Sequence, residues 1–287
     1  MCKNHITIMI ISTIPDMFGE HYYFINEVLP ELKEICNRHD IDLEYKDLFF
    51  SMTEEEFNTC RSLKRYFHSI DSDRTFYICF RGQKLGCVPT PADIDKMTLD
   101  EYPELVDYIG DTSFTELTVM HALHPFEKFE HGDIQSLPPV KHSLFYFRND
   151  NYTDELSDSQ KEIYTCGHCD EEFVHDLKLA MAKDLVFYDK CEFDKLKDNV
   201  SNINIRRYDG IWDDDIVLND VLDKYIEKYV DITSISVGDL PDYYDKVPVL
   251  NSKGCFFDFK CEGVSLKDII IEDFVNELKL EFPQKFE

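Results

Sequence analysis

The stretch ITIMIISTIPDMFGEHYYFINEVLPELKEIC opens with unbroken apolar or β-branched residues, Ile6 to Ile11. A strand without polar alternation is buried on both faces, and that is the mark of a parallel sheet covered by helices on each side. Ser12, Thr13, Pro15, Asp16 and Glu20 follow, and then an amphipathic helix expected from about Met17 to Arg38, with Phe24, Ile25, Val28, Leu29, Leu32, Ile35 and Cys36 on one face. Pro30 inside that helix should kink or divide it. A polar loop between a parallel strand and its helix sits where α/β sheets bind ligands.

The pattern repeats. IDLEYKDLFF reads as a second strand, and TEEEFNTCRSLKRYFHSI as a helix opened by the capping-box spacing of Thr53 and Glu56. RTFYICFRGQKLGCVP is a third strand that leaves through Gly82 and Gly86, and DEYPELVDYI a short helix. SFTELTVMHALHPF is a longer helix capped by Ser113 or Thr112, and HSLFYFRN a fourth strand. Strands alternating with helices predict an α/β fold, a doubly wound, mainly parallel sheet over residues 1–151. Residues 152–287 are expected to form a smaller mixed extension. It holds a strand or helix near AKDLVFYD, a helix at IVLNDVLDKYIEKYVDI and an amphipathic helix from Ser265 to Phe282, whose apolar face is Leu266, Ile269, Ile270, Phe274, Val275 and Leu278.

Charge narrows the function. With 58 acidic against 30 basic side chains the net charge is −28, which repels nucleic-acid backbones and anionic membrane surfaces. No apolar run reaches the roughly 18 residues that span a bilayer, and no basic segment with an apolar core and cleavage site opens the chain. Most of the 10 cysteines stand singly in apolar or helical stretches, among them Cys36, Cys60, Cys79 and Cys87, as small buried hydrophobes do. A reduced, cytoplasmic protein is expected.

The order of short motifs resembles the domain that precedes the NACHT nucleotide switch in telomerase-associated and NACHT/WD-repeat proteins of the STAND NTPase class. Its strand-I-S-S-T-F, D-M, E-R, V-F-P-E-L, C and D-L-R-W-G positions are held here by Ser12-Thr13, Asp16-Met17, Glu20, Val28-Leu29-Pro30-Glu31-Leu32, Cys36 and Asp47-Leu48. FRGQKLGCVP, SFTELTVMHAL and FYFRN match its later motifs, and KLKDNVSNINIRRYDGIW and SLKDIIIEDFVNELKLEFP resemble the stretch leading to NACHT, whose G-x-x-x-x-G-K-[ST] loop does not occur in the chain. The resemblance implies a flavodoxin/TIR-like sheet that serves either in protein assembly or as an NAD-cleaving effector. The chain departs from the pattern where the arginine after Glu20 is His21, where R-W-G is Phe49-Phe50-Ser51, and where E-R-Y is Gln83-Lys84-Leu85. These exchanges are expected to strip charge from the carboxyl edge of the sheet.

Candidate sites follow. Through the resemblance, Glu116 corresponds to a carboxylate that stabilises the oxocarbenium ion as nicotinamide leaves; as a first-turn acid it is also an ordinary partner of the helix dipole. Ser12, Thr13, Asp16, Gly82 and Gly86 form a ligand-edge loop for phosphate or ribose, with Asp16 equally suited to cap its helix. Cys166 and Cys169 in CGHC, with His175 and either Cys191 or His142, have half the pattern of a zinc site. His121 and His124 share a helix face but lack a third ligand. The acidic runs TEEEF, DEEF and WDDD read as solvated faces. The expected function is a non-catalytic protein-interaction or self-association domain without cofactor, nucleic acid or membrane; the alternatives are an NAD glycohydrolase using Glu116 and a zinc-stapled module around Cys166.

Overall fold

A computed structural model describes residues 4–14, 16–47, 62–72, 74–84, 86, 88–110, 112–123, 125–138, 140–149, 151–152, 154, 156–165, 204–233 and 253–286. Among them one seven-stranded sheet runs β2 (Ile41–Asp47), β1 (Asn4–Ser12), β3 (Thr75–Arg81), β6 (His142–Arg148), β7 (Asn204–Val217), β8 (Lys253–Cys261), β9 (Val264–Ser265). Neighbours from β2 to β7 are parallel, and β8 and β9 close the edge antiparallel. β4 (Lys128–Glu130) and β5 (Asp133–Gln135) form a separate hairpin.

The apolar runs behave as a doubly covered sheet demands. On β1, Ile6, Ile8 and Ile10 enter one core, while Met9 and Ile11 enter the other. β3 splits the same way, Phe76, Ile78 and Phe80 against Tyr77 and Cys79, and so does β6, Leu144 and Tyr146 against Phe145 and Phe147. The first face is covered by α1 (Phe18–Tyr23), α2 (Leu29–Arg38), α6 (Asp158–Tyr164), α7 (Leu218–Thr233) and α8 (Leu266–Glu281); the second by α3 (Leu63–Ile70), α4 (Lys96–Glu101) and α5 (Phe114–Leu123). The helix expected over Met17 to Arg38 is present but divided. A π turn at Phe24–Val28 joins α1 to α2, and Pro30 lies in the first turn of α2. A proline has no N–H to donate and its ring crowds the carbonyl four residues back, so the wider turn before it absorbs both defects.

The sheet does not stop at residue 151. Residues 204–208 of β7 pair with β6, and residues 209–217 of the same strand pair with β8. α8 matches the expected amphipathic helix: Leu266, Ile270, Phe274 and Leu278 are fully buried, while Ile269 and Val275 are half-buried. It also buries charge. Asp273 meets Arg206 at 2.8 Å and Glu277 meets His142 Nδ1 at 2.8 Å.

α1 reaches both late elements. A Cβ on Gly19 would collide with the backbone carbonyl of Phe256, so the missing side chain lets α1 lie directly on β8. Tyr23 Oη lies 3.0 Å from Ser265 Oγ and accepts the backbone N–H of Lys267 at 3.2 Å, which satisfies a donor at the start of α8. Tyr23→Phe leaves that donor unmet and should lower unfolding free energy by about 1–2 kcal/mol in urea titrations; an unchanged midpoint would show that the bond carries no stability.

Candidate site at the carboxyl edge of the sheet

Ser12, Asp47, Arg81 and Arg148 end β1, β2, β3 and β6, so the parallel strands deliver them to one edge. The α1 helix adds Glu20 and His21, and the turn before it adds Thr13 and Asp16. Two polar clusters result.

The first is built around Arg148, whose side chain is 0 % exposed. Its Nη1 donates to Glu20 Oε1 at 2.6 Å and to the Asp16 carbonyl at 3.1 Å, and its Nη2 lies 3.8 Å from Asp16 Oδ2. Phe256 faces the guanidinium at 4.3 Å from the ring centroid and Tyr152 at 5.1 Å. Tyr208 Oη donates to Glu20 Oε1 at 2.9 Å. Burial works against the Arg148 charge, but Glu20, Tyr152, Tyr208 and Asp16 outweigh it and hold the guanidinium well above its ordinary value. Asp16 is different. Neither carboxylate oxygen makes a hydrogen bond, nor does Thr13 Oγ1 or Glu20 Oε2. Burial lifts the Asp16 carboxyl to about 6, with the positive charges of Arg148 and Lys84 pulling it back and Glu20 pushing it further up.

The second cluster joins Ser12 to His21 and Asp47. Ser12 Oγ lies 2.5 Å from His21 Nε2, and His21 Nδ1 lies 2.6 Å from Asp47 Oδ2. Tyr225 Oη donates to the same Asp47 oxygen at 2.7 Å and receives the Tyr45 hydroxyl at 3.0 Å; Tyr229 Oη donates to the Asp47 carbonyl at 3.2 Å. His21 and Asp47 are each 1 % exposed, while Ser12 is half-buried. Far from being stripped of charge, the edge holds both carboxylates and arginines, and His21 has its own carboxylate partner.

Of the expected ligand-edge residues, Thr13, Asp16, Gly82 and Gly86 lie near one another, while Ser12 belongs to the His21 cluster. A Cβ on Gly82 would stand 2.4 Å from Met17 Cε, 2.7 Å from Asp16 Oδ2 and 2.8 Å from Arg148 Nη2, so a side chain there would have to displace these groups. Gly86, at φ +92°, is bracketed by Thr13 Cγ2 and Thr115 Oγ1, which brings the start of α5 to the same place. Glu116 sits one residue on, and its carboxylate is engaged: Ser113 N donates to Glu116 Oε2 at 2.8 Å, and Glu116 N donates to Ser113 Oγ at 3.3 Å. That is a reciprocal capping box, readable in the sequence as S-x-x-E.

The histidines considered as ligands have other partners. His121 is fully buried, stacked on Phe67 at 4.0 Å, and 2.7 Å from Asp71. His142 stacks on Phe76 and bonds Glu277 and Glu281. Cys166, Cys169, His175, Cys191, His124, Phe49, Phe50 and the Thr53–Glu56 spacing lie outside the described residues. Among the described residues no group of metal-ligating side chains occurs, and Cys36, Cys79, Cys255 and Cys261 are free and buried. No helix among the described residues is long and apolar enough to cross a membrane.

Sequence reasoning named Ser12, Thr13, Asp16, Gly82 and Gly86 but gave Arg148, Glu20, His21 and Asp47 no role. Arg148 had a signal: an arginine directly after the fully apolar LFYF run of a parallel strand must lie at its carboxyl end.

The chain is 28% identical over 160 residues to telomerase protein component 1 of Mus musculus, covering 55% of this chain and 6% of that protein, and matches the Rattus norvegicus protein to the same extent. It is 23% identical over 237 residues to a TPR repeat-containing protein of Dictyostelium discoideum, covering 79% of this chain and 12% of that protein. The chain thus spans a small fraction of the length of these relatives. No protein-family model and no solved structure matches it.

Proposed function

We propose that the chain is a protein-interaction and assembly domain of the TIR-like type that precedes NACHT in telomerase-associated and NACHT/WD-repeat proteins, and that it works in the cytoplasm without cofactor, nucleic acid or membrane. Distant similarity to much longer proteins supports a domain that acts within an assembly. The observation that carries the reading is the state of the carboxyl edge beside β3 and β6. Asp16 and Glu20 are each 1 % exposed and are packed around the chain's own Arg148, in the place where a ligand's charged group would lie. A guanidinium fixed from within does there what a bound ligand would do elsewhere. Glu116, the carboxylate an NAD glycohydrolase would need, is held by the first turn of its own helix.

Two measurements test this. With a net charge of −28, self-association should be weak at low ionic strength and strengthen as salt screens the repulsion; light scattering across a salt series should show mass rising with salt, and a stable oligomer that salt dissociates would contradict the reading. Nicotinamide release from NAD should be absent at high protein concentration with a crowding agent present. Release that vanishes in Glu116→Ala but persists in Cys166→Ala would replace the assembly reading with the enzyme.

A further inference from the structure

We propose that Ser12, His21 and Asp47 form a nucleophile–base–acid set, with Ser12 Oγ as an acyl-accepting nucleophile toward uncharged or cationic esters. This goes beyond the assembly reading and does not depend on it. The geometry fixes the roles. A carboxylate only accepts hydrogen bonds, so Asp47 Oδ2 at 2.6 Å takes the proton of His21 Nδ1. That tautomer leaves the Nε2 lone pair facing Ser12 Oγ at 2.5 Å, where it can take the hydroxyl proton. Asp47 is itself oriented by Tyr225 at 2.7 Å, and Tyr225 by Tyr45 at 3.0 Å. The base and the acid are each 1 % exposed, whereas Ser12 is half-buried, the most exposed residue of the three.

Other histidines also use both ring nitrogens, His142 on Glu277 and Glu281 and the exposed His5 on Asp42 and Thr7. Among the described residues, however, the His21 line is the one that joins a hydroxyl to a buried carboxylate, at 2.5 and 2.6 Å. The excess of acidic over basic residues, 58 against 30, turns the choice of ester away from anions.

The step balances without a cofactor. As Ser12 Oγ bonds to the ester carbonyl carbon, its proton passes to His21 Nε2. The tetrahedral adduct collapses with cleavage of the ester C–O bond, and the departing alkoxide takes that proton from His21. Water then attacks the acyl-serine, giving its proton to His21, and Ser12 Oγ recovers a proton as the carboxylic acid leaves.

The test is covalent labelling of the full chain by an uncharged fluorophosphonate, with the modified residue located by mass spectrometry. The native chain should label at Ser12, faster than the urea-unfolded chain by roughly 10²–10⁴-fold, the contribution of a positioned base. Ser12→Ala should abolish the label, and His21→Gln, which keeps a polar side chain in place, should reduce its rate by a similar factor. If His21→Gln does not fold, the native-against-unfolded comparison decides. No label at Ser12 in the folded chain, equal labelling in folded and unfolded chains, or undiminished labelling in folded His21→Gln would each overturn the assignment.

Discussion

Glu20→Gln should destabilise the fold by about 3–5 kcal/mol, the loss expected when one partner of a buried ion pair is removed and the other stays. Glu20 Oε1 takes the short bond from Arg148 at 2.6 Å and a second from Tyr208 at 2.9 Å, all at 0–1 % exposure. Glutamine keeps the shape but removes the charge, leaving the guanidinium with Asp16 Oδ2 at 3.8 Å. Its amide N–H groups would also confront donors already pointed at that place. Urea unfolding at neutral pH measures the loss. A cost below about 1 kcal/mol, the level of an exposed pair, would mean that Glu20 does not balance the Arg148 charge.

Asp16→Asn should do the reverse. The carboxyl of Asp16 is raised from 3.8 to about 6 in the folded chain, so between those values the folded state holds a proton that the unfolded state has lost. Stability from this group is therefore present at low pH and falls as pH rises through about 6, by roughly 3 kcal/mol in all. An asparagine side chain at this position has no such proton to lose. The variant should be more stable than the parent at pH 7.5 and should lack the decline between pH 4 and 6. Glu101 titrates in the opposite sense. Burial pushes it up, but Lys64, His68 and Lys128 outweigh this and hold it at about 2, so its contribution is lost only as pH falls toward that value. The difference between Asp16→Asn and the parent across pH isolates Asp16 from this background. Equal pH profiles would show Asp16 to be charged at no cost.

The parts of the fold visible in the sequence were those where local pattern and burial coincide. β1, β3 and β6 are continuous apolar runs because both faces are covered, and α8 shows its stripe because one face meets the core. β7 carries no strand signal in the sequence. Its sequence, NIRRYDGIWDDDIV, carries acids on an edge that pairs mostly with β8, and of its residues with described side chains only Tyr208 is buried. No alternation marks it because little of it enters the core. β8 contains the run CFF, buried at Cys255 and Phe256 but exposed at Phe257, and Asp258 and the flanking lysines break its period further. The loop at the site was legible because Ser12, Thr13 and Asp16 follow β1 directly. The Ser12–His21–Asp47 line was not. His21 reads as a lost arginine and Asp47 as a position inside the IDLEYKDLFF strand, and only the parallel register of β1 with β2, with α1 folded back over them, brings the three together.

The pairing of β7 has a consequence for synthesis on the ribosome. β6 emerges with Leu144, Phe145, Tyr146 and Phe147 all destined for the interior, and its free side is covered only when residues 204–208 arrive. Until then the nascent chain carries an apolar strand with an open hydrogen-bonding edge, the form most prone to pair with another copy. Chains released before β7 is made would keep that edge permanently, so premature termination in this interval yields aggregating fragments rather than a smaller working domain.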